Sequence, residues 1–225
     1  MEIQPVAYIR NDFTDKFAVP RQSGIAEIRS EIIFEKEYAD ENAVRGLKDF
    51  SHLWLIWGFS KNESTEKALT VRPPRLGGNV RVGVFASRSP FRPNNLGLSS
   101  VKLERIEYRE NRSPVLIVSG ADLMDGTPIY DIKPYIRFTD SHEDAVSGFA
   151  DTADFPMLEV HISDSLLRQI PEEKHETLKT ILKNDPRPAY HSDGERIYGF
   201  RFADKEIKFN VKDHQLFVIS IENGQ

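Results

Sequence analysis

Two arginine-bearing loops bracket one short apolar run. The first is Val71-Arg72-Pro73-Pro74-Arg75-Leu76-Gly77-Gly78-Asn79, and the second is Arg88-Ser89-Pro90-Phe91-Arg92-Pro93-Asn94. Proline fixes φ and glycine frees it, so both loops should be stiff and sharply turned. A guanidinium on a stiff loop presents a planar, two-pronged donor at a defined place, which suits phosphate and carboxylate. One such loop is most simply a soluble turn. Two of them around Val80–Ala86 favour a binding site.

Four other segments carry side chains that could do chemistry. Ala121-Asp122-Leu123-Met124-Asp125-Gly126-Thr127-Pro128 places two carboxylates around a tight turn, with Asp131 just beyond. Asp122 or Asp125 could accept a hydrogen bond from a hydroxyl or an amino group, although an Asp-Gly pair often only caps its own turn. Asp185-Pro186-Arg187-Pro188-Ala189-Tyr190 offers Tyr190 as a stacking surface and Arg187 as a phosphate partner, while a plain helix stop before Pro186 explains the Asp-Pro pair equally well. In Phe17-Ala18-Val19-Pro20-Arg21-Gln22-Ser23-Gly24, Gln22 could read an adenine edge. Phe50-Ser51-His52-Leu53-Trp54 reads as core strand, with His52 a buried, hydrogen-bonded histidine rather than a catalyst.

Several chemistries are missing. The chain has no cysteine, which removes disulfides, thiolate metal sites and cysteine nucleophiles and suits a reducing cytoplasm. Its six histidines show no metal-ligand spacing. No Gly-x-Gly-x-x-Gly follows a strand, so a Rossmann crossover is unsupported, and Gly77-Gly78 lacks the Lys-Ser/Thr of a phosphate loop. The longest apolar run, Leu53–Phe59, is far shorter than the ~20 residues of a membrane helix. Met1–Pro5 shows no signal-peptide pattern.

The 225 residues carry a formal net charge of −5, which argues mildly against a protein that simply coats nucleic acid. The charge is uneven, however. Between Val71 and Leu103 stand Arg72, Arg75, Arg81, Arg88, Arg92 and Lys102 without one acidic residue, while acids crowd Glu31–Glu41, His142–Asp154 and Asp164–Glu176. A phosphate-bearing partner could meet a local basic patch on an acidic protein.

The elements that must position these residues are mostly strands. Val6–Asn11, Ala26–Phe34, Ser51–Phe59, Val80–Ala86, Leu98–Tyr108, Val115–Ser119 and Ile129–Ile132 are rich in β-branched and aromatic residues. The alternation in Leu98–Tyr108 breaks near Arg105, which predicts a bulge. Asn42–Lys48 reads as a short helix. With no strand–helix–strand repeat before residue 140, the first part should be antiparallel, and a barrel removes its edges. Residues 141–156 read as a linker. Beyond them come a strand at Leu158–Ile162, a helix capped by Ser163 or Asp164, and a second helix over Pro171–Lys183. A meander follows: Ile197–Phe202, Ile207–Val211 and Leu216–Ile221, with turns at Asp204-Lys205 and Asp213-His214. The expected fold is mainly β, with a β-barrel over 1–140 and a small α+β domain over 157–225.

Phe17–Gln22, Ala43–Leu47 with Phe50–Trp54, Val71–Asn79, Gly83–Pro93, Asp122–Tyr135 and Asp185–Tyr190 together resemble the TrmO (YaeB, TsaA-like) family, over nearly the whole chain. Two positions depart from the family pattern: Asn95, where the loop is expected to continue with proline, and Ser60-Lys61, where relatives tend to carry His-Gln. The resemblance implies a TsaA-like, non-Rossmann barrel, a homodimer, and an S-adenosylmethionine-dependent tRNA methyltransferase. It also implies the target: N6 of threonylcarbamoyl-adenosine at position 37, beside the anticodon of threonine tRNAs. It places Pro20, Arg21, Gln22, Ser60, Lys61, Arg88, Leu98 and the turn Ala121, Asp122, Leu123, Met124 at the methyl donor. Asp122 or Asp125 would then accept the N6 proton and Tyr190 would stack on the base. Arg72, Arg75, Arg81, Arg92 and Arg187 would hold tRNA phosphates, with no metal needed. The competing reading is a non-catalytic barrel that binds tRNA or a nucleotide. A metal-free hydrolase using Asp122, Asp125 and Asp131 lacks a nucleophile.

Overall fold

The computed structural model describes residues 2–62, 68–73, 76, 80–152, 157–187 and 196–224. The first half supplies β1 (Ala7–Arg10), β2 (Arg29–Phe34), β3 (His52–Gly58), β4 (Thr70–Val71), β5 (Val82–Gly83), β6 (Leu96–Tyr108), β7 (Pro114–Ser119) and β8 (Pro128–Pro134). Six of them close into a barrel in the order β1-β2-β7-β6-β3-β8, every pair antiparallel. Closure comes from β1 against β8, where Ala7 faces Ile129 and Tyr8 faces Pro128. Strand alternation sends Ile9, Ile32, Leu53, Leu55, Trp57, Val101, Leu103, Leu116 and Val118 inward to one core. The bulge expected in β6 is present: its register against β7 slips between Leu103 and Arg105.

Several local expectations change. The run Val80–Ala86 is not one strand. Only Val82–Gly83 pairs, with Thr70–Val71, and a 3₁₀ turn follows over Val84–Ala86. Ser87 Oγ donates to the Val84 carbonyl at 2.8 Å and turns the chain away from the ladder. Asn42–Lys48 is a series of turns ending in a 3₁₀ turn, Leu47–Asp49, entered through Gly46 at φ 83°. His52 is exposed rather than buried, because the phase that puts Leu53, Leu55 and Trp57 inside puts His52 outside.

After the barrel come α1 (Arg137–Asp140) and α2 (Phe149–Thr152), with an exposed stretch between them. The remaining elements are β9 (Glu159–His161), α3 (Asp164–Leu167), α4 (His175–Lys183), β10 (Tyr198–Phe202), β11 (Lys205–Lys212) and β12 (Gln215–Asn223). The second sheet runs β10-β11-β12-β9, with β9 parallel to β12. Ser163 caps α3 by accepting from the Leu166 N–H. The longer predicted helix is split, a 3₁₀ turn over Glu172–Lys174 leading into α4. Ala203-Asp204 and Asp213-His214 have positive φ at both central positions, as two-residue hairpins require, so the first turn lies one residue earlier than expected.

The two halves share a core. Phe13, Ala18 and Ile28, from the segment between β1 and β2, are buried in the same cluster as Leu178, Leu182, Phe200, Phe202 and Phe209. That segment is apolar at several positions and lacks a strand partner, so docking on the second sheet and α4 takes these side chains out of water. Polar contacts pin it: Lys174 to Asp12 at 2.8 Å, and Arg21 Nη2 donating to the Asp185 carbonyl at 3.0 Å. Phe13→Ala should lower unfolding free energy by about 3–5 kcal/mol in denaturant titration, because the cavity opens at this shared core.

Candidate active site

At one end of the barrel three loops converge on Asp122. Gly120 and Gly24, both at positive φ, let the β7–β8 and β1–β2 segments approach closely, and the Gly24 N–H donates to the Gly120 carbonyl at 2.8 Å. A Cβ on Gly120 would lie 3.4 Å from the Gly24 backbone. This contact brings Ser23 beside Asp122, whose carboxylate accepts from the backbone N–H groups of Ser23 and of Asp122 itself. Arg88 arrives from the third loop, donates to Gln22 Oε1 at 2.5 Å, and acts on Asp122 as a nearby positive charge.

From inside the barrel wall, Ser99 Oγ donates to Asp122 Oδ1 at 2.5 Å. The same oxygen accepts from Trp57 Nε1 at 2.9 Å. The indole stands over Gly97, where a Cβ would lie 2.3 Å from Trp57 Cε2, and Phe59 packs on it edge-on with centroids 4.3 Å apart.

Burial raises the Asp122 pKa above the usual aspartate range, and the bonds from Ser99 and the backbone, with the Arg88 charge, offset only part of that. Asp122 is thus a carboxylate of heightened basicity held among directed donors.

Not every expected residue joins this cluster. Pro20, Ala121 and Leu123 are buried, and Ala121 and Leu123 belong to the barrel core. Arg21 is exposed and turned toward Asp185. Met124 is half-buried. Leu98 lies on the outer face of β6, one residue from inward-facing Ser99. Ser60 and Lys61 are exposed on the turn after β3, which is tied to the 90–95 loop through Phe59 N–H to Asn95 O at 2.8 Å. Asn95 itself has φ 50°, which proline cannot adopt, so this loop takes a course its asparagine permits.

Asp125 faces elsewhere. It pairs with Arg10 at 3.3 Å and accepts from the Asn11 N–H at 3.1 Å, the role of a turn residue. Asp131 is exposed and caps the Ile132 N–H at 2.9 Å.

The basic residues divide. Arg72 and Arg81 are exposed, Arg81 donating to Thr70 Oγ1 at 2.8 Å. Arg92 is half-buried and donates to the carbonyls of Ser87 at 2.7 Å and Val84 at 3.3 Å, so it ties its own loop together. Arg187 is held by Asp185 in a two-pronged pair at 2.8 and 2.7 Å, and that bond raises its pKa further. Its charge is already matched. Arg75 and Tyr190 lie outside the described residues. A cleft of about 240 Å³ between the halves is lined by Pro20, Arg21, Ile181, Asn184, Asp185 and Arg187, among others.

Ser99 and Trp57 escaped the sequence reading. The signal was a serine in phase with inward Val101 and Leu103, a polar group where an apolar one was due.

A closed antiparallel barrel whose rim half-buries one carboxylate beside an arginine, extended by a small α+β domain, is a defined class of protein. Residues 8–141 match the family model described as the tRNA-methyltransferase O N-terminal domain, and residues 156–224 match the TrmO C-terminal domain. The chain belongs to this family. It is 37% identical over 230 residues to the tRNA (adenine(37)-N6)-methyltransferase of Escherichia coli strain K12, covering 98% of this chain and 97% of that protein. It is 44% identical over 164 residues to the protein of the same name from Eikenella corrodens, covering 72% of this chain and 92% of that one. The crystal structure of TrmO from Pseudomonas aeruginosa superposes with a TM-score of 0.80 at 32% identity, covering 100% of this chain and 97% of that one.

The raised pKa has a consequence for stability. A carboxyl whose folded pKa lies above its unfolded value contributes stability at low pH that is lost as pH rises through the folded pKa. Asp122→Asn, which keeps an acceptor for Ser99 and removes the buried charge, should therefore melt at the same temperature as the parent or higher at neutral pH. Thermal unfolding of both proteins across pH checks this.

Proposed function

We propose that this chain is an S-adenosylmethionine-dependent tRNA methyltransferase acting on N6 of the adenine at position 37. Its substrate would be the threonylcarbamoyl-modified adenosine of threonine tRNAs. The observation that carries this reading is the half-buried Asp122 carboxylate, held by Ser99 and the Ser23 N–H beside the Arg88–Gln22 pair. The residues suit the donor: a carboxylate for a cationic centre, an arginine for a carboxylate, and the exposed Leu98 for an apolar ring. When bound, S-adenosylmethionine supplies an electrophilic methyl group on a sulfonium.

The exocyclic nitrogen of adenine is a weak nucleophile, because its lone pair is delocalised into the ring. Asp122 would accept a hydrogen bond from its N–H and take the proton as the N–C bond forms and the sulfonium S–C bond breaks, the donor leaving as a neutral thioether. Burial gives the carboxylate more basicity for this than a solvated aspartate has. Arg88 and Gln22 orient the donor, and positioning of the two partners contributes much of the remaining acceleration. Tyr190 stacks on the splayed base. Arg72, Arg75 and Arg81 meet phosphates of the anticodon stem, while Arg92 and Arg187 stiffen the loops that carry them.

The chain works as a homodimer in the cytoplasm. Leu69, Phe85 and Phe91 are 81, 78 and 46% exposed, apolar surface that a second copy would cover.

Threonine tRNA incubated with the protein and labelled donor should yield labelled N6-methylated nucleoside by mass spectrometry. Asp122→Asn should lower kcat by roughly 10²–10⁴-fold. Donor binding without transfer in the parent protein would instead mark a binding module. Arg72→Ala and Arg75→Ala should each weaken tRNA binding and reduce the slope of log affinity against log salt by about 1. An unchanged slope in the double variant removes these arginines from the tRNA interface.

A further inference from the structure

We infer that Trp57 and Ser99 are positioning residues that orient the Asp122 carboxylate from inside the barrel. The Ser99 hydroxyl has one proton. Trp57 Nε1–H approaches its oxygen at 2.9 Å and can only donate, so it occupies an acceptor site there. The serine proton is thereby left for Asp122 Oδ1, at 2.5 Å. One donor thus sets the direction of the next, and the carboxylate is held by one oxygen from within while its other oxygen is left to the rim.

The indole that starts this chain has little freedom. It is buried, it lies against Gly97 where no Cβ fits, and Phe59 packs edge-on against it with ring centroids 4.3 Å apart. Trp57, Gly97 and Ser99 lie on paired positions of β3 and β6, Trp57 directly opposite Gly97. The relay is therefore built into two rigid strands, while Asp122 sits on a loop. The groups acting on Asp122 from other segments are the Ser23 N–H and the Arg88 charge, and both come from loops.

Ser99→Ala deletes the proton directed at Asp122 and strands the indole N–H. In the ligand-free protein, the side-chain carboxyl of Asp122, followed by ¹³C NMR across pH, should titrate at higher pH than in the parent. The acidic limb of the kcat profile should move the same way, with kcat at neutral pH falling about tenfold. Trp57→Phe keeps the ring against Gly97 and removes only the donor. It should move both readouts in the same direction by less, and the double variant should be no worse than Ser99→Ala alone, since Trp57 acts through Ser99. A merely packing role would leave the Asp122 titration where it was. An unmoved titration in Trp57→Phe and Ser99→Ala overturns the relay, and Trp57→Phe alone decides if the serine variant does not fold. The catalytic half of this inference rests on Asp122 as proton acceptor. Full activity in Asp122→Asn would remove that reading, whereas the ligand-free titration would still judge the relay.

Discussion

A carboxylate drawn partly out of water needs directed hydrogen bonds from groups that hold their place. Asp122 receives hydrogen bonds from two directions, the barrel wall through Ser99 and the β1–β2 segment through the Ser23 N–H, and the Arg88 loop adds a positive charge nearby. Removing water from a carboxylate penalises its charged form, and directed donors keep that penalty from excluding the charged form altogether. The rest of the architecture can be understood as holding those donors in place. Closure of the sheet matters here because an open sheet would leave a free edge and a more pliable wall. In the closed barrel, β3 and β6 are each paired on both sides.

The small domain enters the same problem from outside. The segment carrying Pro20, Gln22 and Ser23 has no strand of its own, yet it forms one wall of the site. Its apolar residues sit in the second core, under α4 and the second sheet, and Arg21 reaches the Asp185 carbonyl. Loop positions acquire rigidity from whatever they pack on. The geometry around Asp122 therefore depends on the C-terminal half, although among the described residues none of the donors to its carboxylate comes from there.

Much of the organisation was legible in the residues. Alternation and β-branched content located the barrel strands, and the phase break near Arg105 marked a real bulge. Family resemblance named segments that do meet at the rim. What misled were short apolar or charged runs read without their neighbours. Val80–Ala86 has strand composition, but Gly83 and the Ser87 cap turn it into a 3₁₀ bend. His52 sits within an apolar string, and a single residue of phase sends it outside.

Among the aspartates and arginines, side-chain type did not separate partners from machinery. Asp122 and Asp125 are three residues apart on one turn, with the same carboxylate, yet one faces Ser99 and the other pairs with Arg10. Arg92 and Arg187 read in sequence as surface cations, but carbonyls and Asp185 already claim them. The sequence alone determined the class of fold, the positions of most strands and the lack of thiol chemistry. Only the tertiary structure decided which carboxylate faces the barrel wall, which arginines lie at the surface, and that Trp57 and Ser99 stand behind Asp122. Local pattern reports each residue's own preference, whereas burial and hydrogen-bond direction belong to contacts between residues far apart in the chain.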